Sequence, residues 1–181
     1  MPNADAVTGV VLAAGAGSRF GKPKVLADEG SWLAQAVASL DVGGCDEVIV
    51  VLGAAVVDVP APARAVVATR WAEGMSVSVR EGLKAAGTAE WVVLHTVDTP
   101  DVGADVVARV LSAARRSRSG LARAVYHGRP GHPVVVARRH LVELTDALDG
   151  DQGARAFLGG RGDVIAVECG DLATGIDIDE R

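Results

Sequence analysis

Leu12 to Lys24 reads Leu-Ala-Ala-Gly-Ala-Gly-Ser-Arg-Phe-Gly-Lys-Pro-Lys, a stretch with glycines and cations and no acid. Glycine lets backbone N–H groups approach a ligand closely and tolerates positive φ. Successive N–H groups, with Arg19, Lys22 and Lys24, can therefore surround a polyphosphate. A glycine-rich turn with solvated lysines is the alternative that composition leaves open. The stretch is not a Walker loop, because no Gly-Lys-Ser/Thr follows. Nor is it a dinucleotide fingerprint, because Gly-x-Gly continues into Ser-Arg-Phe-Gly. The second candidate is Asp98. It follows the apolar run Trp91–His95 and precedes Thr99-Pro100, and a carboxylate at the carboxyl end of a strand is well placed to hold Mg²⁺ against phosphates. It fits equally as a turn residue, while Asp101 suits the cap of the next helix.

Positioning these groups requires strands that end at one rim. Val7–Leu12, Glu47–Leu52 and Trp91–His95 are near-continuous apolar runs, as expected of strands covered on both faces of a parallel sheet. Arg64–Ala68, Leu121–Tyr126, Pro133–Ala137 and Val164–Glu168 also read as strands. Trp32–Leu40, Ser76–Ala86 and Val102–Ala114 have helical spacing, and further helices are expected near Arg138–Leu148 and over Asp151–Leu158. This alternation predicts an α/β fold, a three-layer α/β/α sandwich around a Rossmann-like, mostly parallel sheet. In such sheets ligands bind beyond the carboxyl ends of the strands. The loops after Leu12, Trp71 and His95 are therefore expected on one rim.

Composition narrows the function classes. The chain has 181 residues and no repeat or linker-like tract, so one domain over 1–181 is expected. A net charge of −5 argues against a nucleic-acid coat. The basic run Arg115-Arg116-Ser117-Arg118 suits a solvated helix C-terminus. Cys45 and Cys169 are too far apart for a metal-ligand spacing and read as reduced thiols. Neither a signal peptide nor a membrane span is read, which predicts a soluble, cytoplasmic protein with no membrane partner.

The pattern L-A-A-G-x-G-x-R-[FM]-G-x-x-K over Leu12–Lys24 resembles the signature of the single-domain NTP transferases. The resemblance implies nucleotide binding by Leu12, Ala13, Ala14, Gly15 and Gly17, with Arg19 and Lys24 on the triphosphate and Lys22 a solvated neighbour. Trp71–Leu83, with its W-x-x-G-M-x-x-S-x-x-x-G-L pattern, is similar to molybdopterin cytidylyltransferases, which implies that Gly74 and Ser78 face the base. Read on its own, the same segment is a helix start with Ser76 as cap and Gly82 at a close helix contact. Asp98-Thr99-Pro100 keeps the family's Asp-x-Pro, although Val97 stands where a small residue is usual. The family commonly ends in Asp-[IV]-Asp-Thr-Pro. Asp177 and Asp179 match its first half, which implies Asp179 as a second metal ligand and Asp177 as its neighbour; a frayed acidic tail is the alternative. Gly131-His132-Pro133-Val134 resembles the segment near the acceptor pocket, implying acceptor contacts from His132 and Arg129. Leu148–Arg155 resembles the G-D-x-G-A-R segment of the same subfamily, with Asp151 a helix cap in the plain reading. His95 and His140 receive no function.

The resemblance implies Mg²⁺-dependent nucleotidyl transfer with release of pyrophosphate, Arg19, Lys24 and Asp98 being catalytic. Ala13-Ala14-Gly15 resembles the cytidylyltransferase form, which implies CTP, and the other segments imply molybdopterin as acceptor. Transient contact with a molybdoenzyme or a cofactor chaperone would follow. Transfer to a sugar phosphate or other small phosphorylated alcohol is the rival within the superfamily. A nucleotide-binding or interaction module without turnover is the rival outside it.

Overall fold

A computed structural model describes residues 3–180. The expected alternation is realised as one seven-stranded sheet with helices on both faces. The strands are β1 (Val7–Ala13), β2 (Glu47–Leu52), β3 (Arg64–Val67), β4 (Trp91–Thr96), β5 (Leu121–Tyr126), β6 (Arg129–Ala137) and β7 (Ile165–Glu168). The helices are α1 (Ser31–Val42), α2 (Met75–Ala86), α3 (Ala104–Arg116), α4 (Leu141–Ala147) and α5 (Arg155–Gly159). The strand order is β3-β2-β1-β4-β6-β5-β7. β1 pairs in parallel with β2 and β4, β2 with β3, and β5 with β7; β6 alone runs antiparallel, to both β4 and β5.

The apolar runs explain the centre of the sheet. Every residue of β1 is buried, as are five of the six in β2 and in β4. Alternate side chains feed two cores. Val11, Val50 and Val93 pack with Leu40 of α1 and Val107 and Val110 of α3. Val10, Ile49 and Leu94 pack on the other face with Val79 and Leu83 of α2, Leu144 of α4 and Phe157 of α5. β3 is mostly exposed, as befits an edge. The hairpin between β5 and β6 turns on His127 (φ 50°) and Gly128 (φ 79°), two positive-φ residues as in a type I′ turn.

Gly82 fulfils the close-contact role expected of it. A Cβ there would lie 2.6 Å from Val10 Cγ1, so α2 rests directly on β1. Gly82→Val is expected to destabilise the fold by about 1–3 kcal/mol through overpacking, read as a lower urea midpoint with an unchanged m-value.

Local expectations depart from the structure at three helix starts. α2 is preceded by Gly74, and Ser76 lies inside the helix with its hydroxyl buried and unpartnered. α3 begins after Gly103, so Asp101 is no cap. α5 begins at Arg155 rather than Asp151, while Arg138–His140 forms a 3₁₀ turn ahead of the short α4. For Asp101 and Asp151 a distant partner wins over the local cap. Asp101 accepts from Thr174 N–H and Oγ at 2.7 and 2.6 Å, and Asp151 Oδ1 from Met75 N–H at 3.3 Å. Cys45 and Cys169 are buried free thiols. Among the described residues no helix is long and apolar enough to cross a membrane.

Candidate active site

The loops after β1, β3 and β4 converge at the carboxyl ends of their strands around a cleft of about 460 Å³. Volumes of 300–1,000 Å³ are usual for small-molecule sites. The floor is the backbone of Leu12–Gly17. Trp71, Gly74 and Ser78 form one wall, and Lys24, Asp98 and Asp179 the other. Every residue expected to touch nucleotide therefore lines one concavity. Asp151, Phe20 and Thr96 line it as well, although sequence reasoning gave them no such place.

Loop geometry follows from its glycines. Gly17 has φ +63°, and a Cβ there would come within 1.9 Å of the Lys22 carbonyl oxygen. The Gly21 N–H donates to Gly17 O at 2.8 Å. This tight fold-back returns the chain toward β4, where Lys24 meets its partners. Gly74, at φ +122°, lets the start of α2 press against the Gly150–Asp151 turn.

Lys24 is the electrostatic centre. Its Nζ donates to Asp98 Oδ2 and to Asp179 Oδ1, each at 2.8 Å, while Arg19 stands 3.7 Å from Asp179. Burial alone would lower the lysine pKa. Hydrogen bonds to Asp179 and Asp98 outweigh it and hold the ammonium above its ordinary value. The Lys24 hydrogen bond in turn holds the Asp179 carboxyl below the usual range, with Lys24 and Arg19 charges assisting.

The segment carrying Asp177 and Asp179 is pinned rather than frayed. Thr174 is latched to Asp101, the Ile178 N–H donates to Asp98 O at 3.0 Å, and Gly175 lies flat on the Tyr126 ring, where a Cβ would be 2.1 Å away. Asp177 is exposed and does not line the cleft. Burial pushes its pKa up, followed by the charges of Asp98 and Asp179. A raised folded pKa means the native state binds this proton more tightly than the unfolded chain. That stability is complete below the ordinary aspartate value and is lost as pH rises through the raised one. Asp177→Asn, which carries no charge, is expected to raise Tm at pH 7 and to flatten the acid-side pH dependence, as thermal melts between pH 3 and pH 7 would register.

The donor set suits a small hard cation. Asp98 Oδ1 is buried with no hydrogen-bond partner, a free lone-pair face beside Asp179. Among the described residues no three His, Cys, Asp or Glu side chains form a ready-made cage. Two carboxylates completed by substrate phosphates and water is the arrangement Mg²⁺ favours.

The acceptor candidates lie elsewhere. Arg129 is exposed at the start of β6, and His132 sits three residues further along the same strand. The His132 carbonyl accepts from Tyr126 Oη at 2.5 Å. Burial, then the Arg123 guanidinium, lowers the imidazole pKa to about 4, so His132 is neutral at pH 7 and offers a phosphate no positive charge. His95 is fully buried in β4 and depressed to about 3 by burial, with its neighbour His132 adding to the effect. The Nε2 of His140 contacts Ser119 O at 2.7 Å.

A glycine-rich, cation-bearing loop at the carboxyl rim of an α/β sheet, facing paired carboxylates, defines a nucleotide-handling protein of the nucleotidyltransferase type. The chain belongs to the family of the MobA-like NTP transferase domain, whose model matches residues 9–164. It is 37% identical to nicotine blue oxidoreductase of Paenarthrobacter nicotinovorans, over 96% of this chain and 92% of that one. Its fold superimposes on Rv0371c of Mycobacterium tuberculosis H37Rv with a TM-score of 0.77 at 26% identity, covering 98% and 95% of the two chains. A structure of Rv0371c in complex with manganese also matches, with a TM-score of 0.70 at 24% identity over 96% and 94% of the chains. A nucleotidyl transferase from Methanothermobacter thermautotroptrophicus shares the fold, with a TM-score of 0.76 at 22% identity over 97% and 92%.

Proposed function

We propose that the protein transfers CMP from CTP to a phosphorylated acceptor, molybdopterin, in the cytoplasm, with Mg²⁺ held by Asp98 and Asp179. The observation that carries this reading is the Lys24 bridge between Asp98 and Asp179 at the mouth of the cleft floored by Leu12–Gly17. Backbone N–H groups of Gly15 and Gly17 cradle the triphosphate, and Gly74 and Ser78 face the base. An acceptor phosphate oxygen attacks the α-phosphorus in line. Its new P–O bond forms as the bond to the β-phosphate breaks, and the electron pair leaves with pyrophosphate. Arg19 and Lys24 neutralise the charge that develops there. The protein's contribution is positioning and charge, with no covalent intermediate. Mg²⁺, when bound, supplies Lewis acidity toward the phosphate oxygens.

Pyrophosphate release measured across the four NTPs, with molybdopterin and with sugar phosphates as acceptors, tests this. Release with CTP and molybdopterin is expected. Release only with a sugar phosphate moves the acceptor to the rival class. Tight Mg²⁺–NTP binding without release under any condition makes the protein a binding module. The 37% identical relative favours a second reading, the oxidoreduction of nicotine blue that its name states. Reductant-dependent conversion of nicotine blue by the protein, without pyrophosphate release, would establish it.

A further inference from the structure

We propose that Arg123 and Arg155 form an anion site for the phosphomonoester of the acceptor, on the same face of the sheet as the nucleotide cleft. The proposal rests on the nucleotidyl-transfer reading for its biological meaning but not for its geometry. Arg123 is a lone cation in the apolar strand β5. It pairs in register with Val134 of β6, which pairs with Leu94 of β4. Leu94 and Val134 belong to the core under α2, α4 and α5, and so does Leu121, two residues before Arg123. Thr96, two residues beyond Leu94 on β4, lines the nucleotide cleft. Arg123 therefore lies two strands from the row that carries Thr96, about 10 Å across the sheet. α5 packs over this region through Phe157 and Leu158, and Arg155 opens the same short helix.

Among the described residues neither Arg123 nor Arg155 forms an ion pair. Arg123 Nε is buried with no partner, and only its Nη2 reaches an acceptor, the Gly131 carbonyl at 3.4 Å. A half-buried guanidinium without a carboxylate is costly, and a second one beside it raises the cost. Burial and then the Arg155 charge lower the Arg123 pKa, in keeping with that proximity. An arginine fork on the sheet with an unpartnered Nε, and a second arginine opening the helix packed over that region, match a phosphate dianion, which guanidinium binds in bidentate fashion. Neutral His132 is in the electrostatic reach of both Arg123 and Asp98, on the strand between β5 and β4. The donor phosphates would then sit on Arg19 and Lys24 and the acceptor phosphate on Arg123 and Arg155.

Proton–nitrogen NMR of arginine side chains, with inorganic phosphate titrated into the full chain, tests the site. Saturable shifts of the Arg123 and Arg155 Nε–H signals are expected, persisting in the presence of CTP. Arg155→Gln, at an exposed position, should weaken that response about 10–100-fold, the usual effect of losing a charge-assisted hydrogen bond. In turnover, Arg155→Gln and Arg123→Lys should raise the acceptor KM while leaving the KM for CTP unchanged. Shifts confined to Arg19, or phosphate affinity unaltered in Arg155→Gln, would overturn the site. Phosphate binding at the arginine pair in a protein that releases no pyrophosphate would uphold the site and sink the nucleotidyl-transfer reading.

Discussion

Asp98→Asn is expected to lower metal-dependent turnover by about 10²–10³, with thermal stability within a few degrees of the parent. Asparagine keeps the shape, and the hydrogen bond from Ile178 goes to the backbone carbonyl of residue 98, so the pinned segment stays in place. What disappears is charge at a carboxylate that lines the cleft and has a buried, unpartnered oxygen. Lys24 keeps Asp179 as its ion-pair partner, which is why the fold should tolerate the change. Steady-state pyrophosphate release and a melting curve on the same preparation check both halves. Undiminished activity would remove Asp98 from the mechanism.

Lys24→Met separates two roles of one side chain. Methionine retains most of the aliphatic stem but leaves Asp98 and Asp179 facing each other without their shared donor. Loss of a partner from such a group costs about 1–3 kcal/mol. A lower Tm is therefore expected without divalent metal. Added Mg²⁺ should restore much of that stability, because a divalent cation between the two carboxylates relieves the same repulsion. Turnover should stay down by about 10²–10³, since the charge on the departing pyrophosphate remains uncompensated. If Mg²⁺ restored activity along with Tm, Lys24 would be a structural cation only.

The fold was legible because the strands that decide it are simple. Val7–Ala13 and Glu47–Leu52 are apolar on both faces, and two-sided burial in a parallel sheet is what such runs imply. That the loops after β1, β3 and β4 share one cleft was legible for a related reason: rim placement follows from strand polarity. Pairings across long sequence separations were hidden. Asp101 and Asp151 look like caps locally, yet each binds a backbone N–H more than 70 residues away. His132 suggested an acceptor contact by its motif, and the depression of its pKa by burial and by Arg123 is visible only in the fold. Arg123 did leave a signal, a single charge in the middle of Leu121–Tyr126, but an isolated strand cannot say whether that charge faces solvent, a carboxylate or a ligand.

The antiparallel β6 has a consequence for how such a protein can diversify. It divides the rim into two territories that are also two stretches of chain. Apart from Asp151 and Asp179, the cleft is lined by residues up to 98, whereas Arg123, Arg129, His132 and Arg155 all follow α3. One crossover within α3 would exchange the second territory wholesale and, of the first, only Asp151 and Asp179. Relatives of this fold can thus keep one half of their chemistry fixed while the other half is traded, a modularity that lies inside a single sheet rather than between domains.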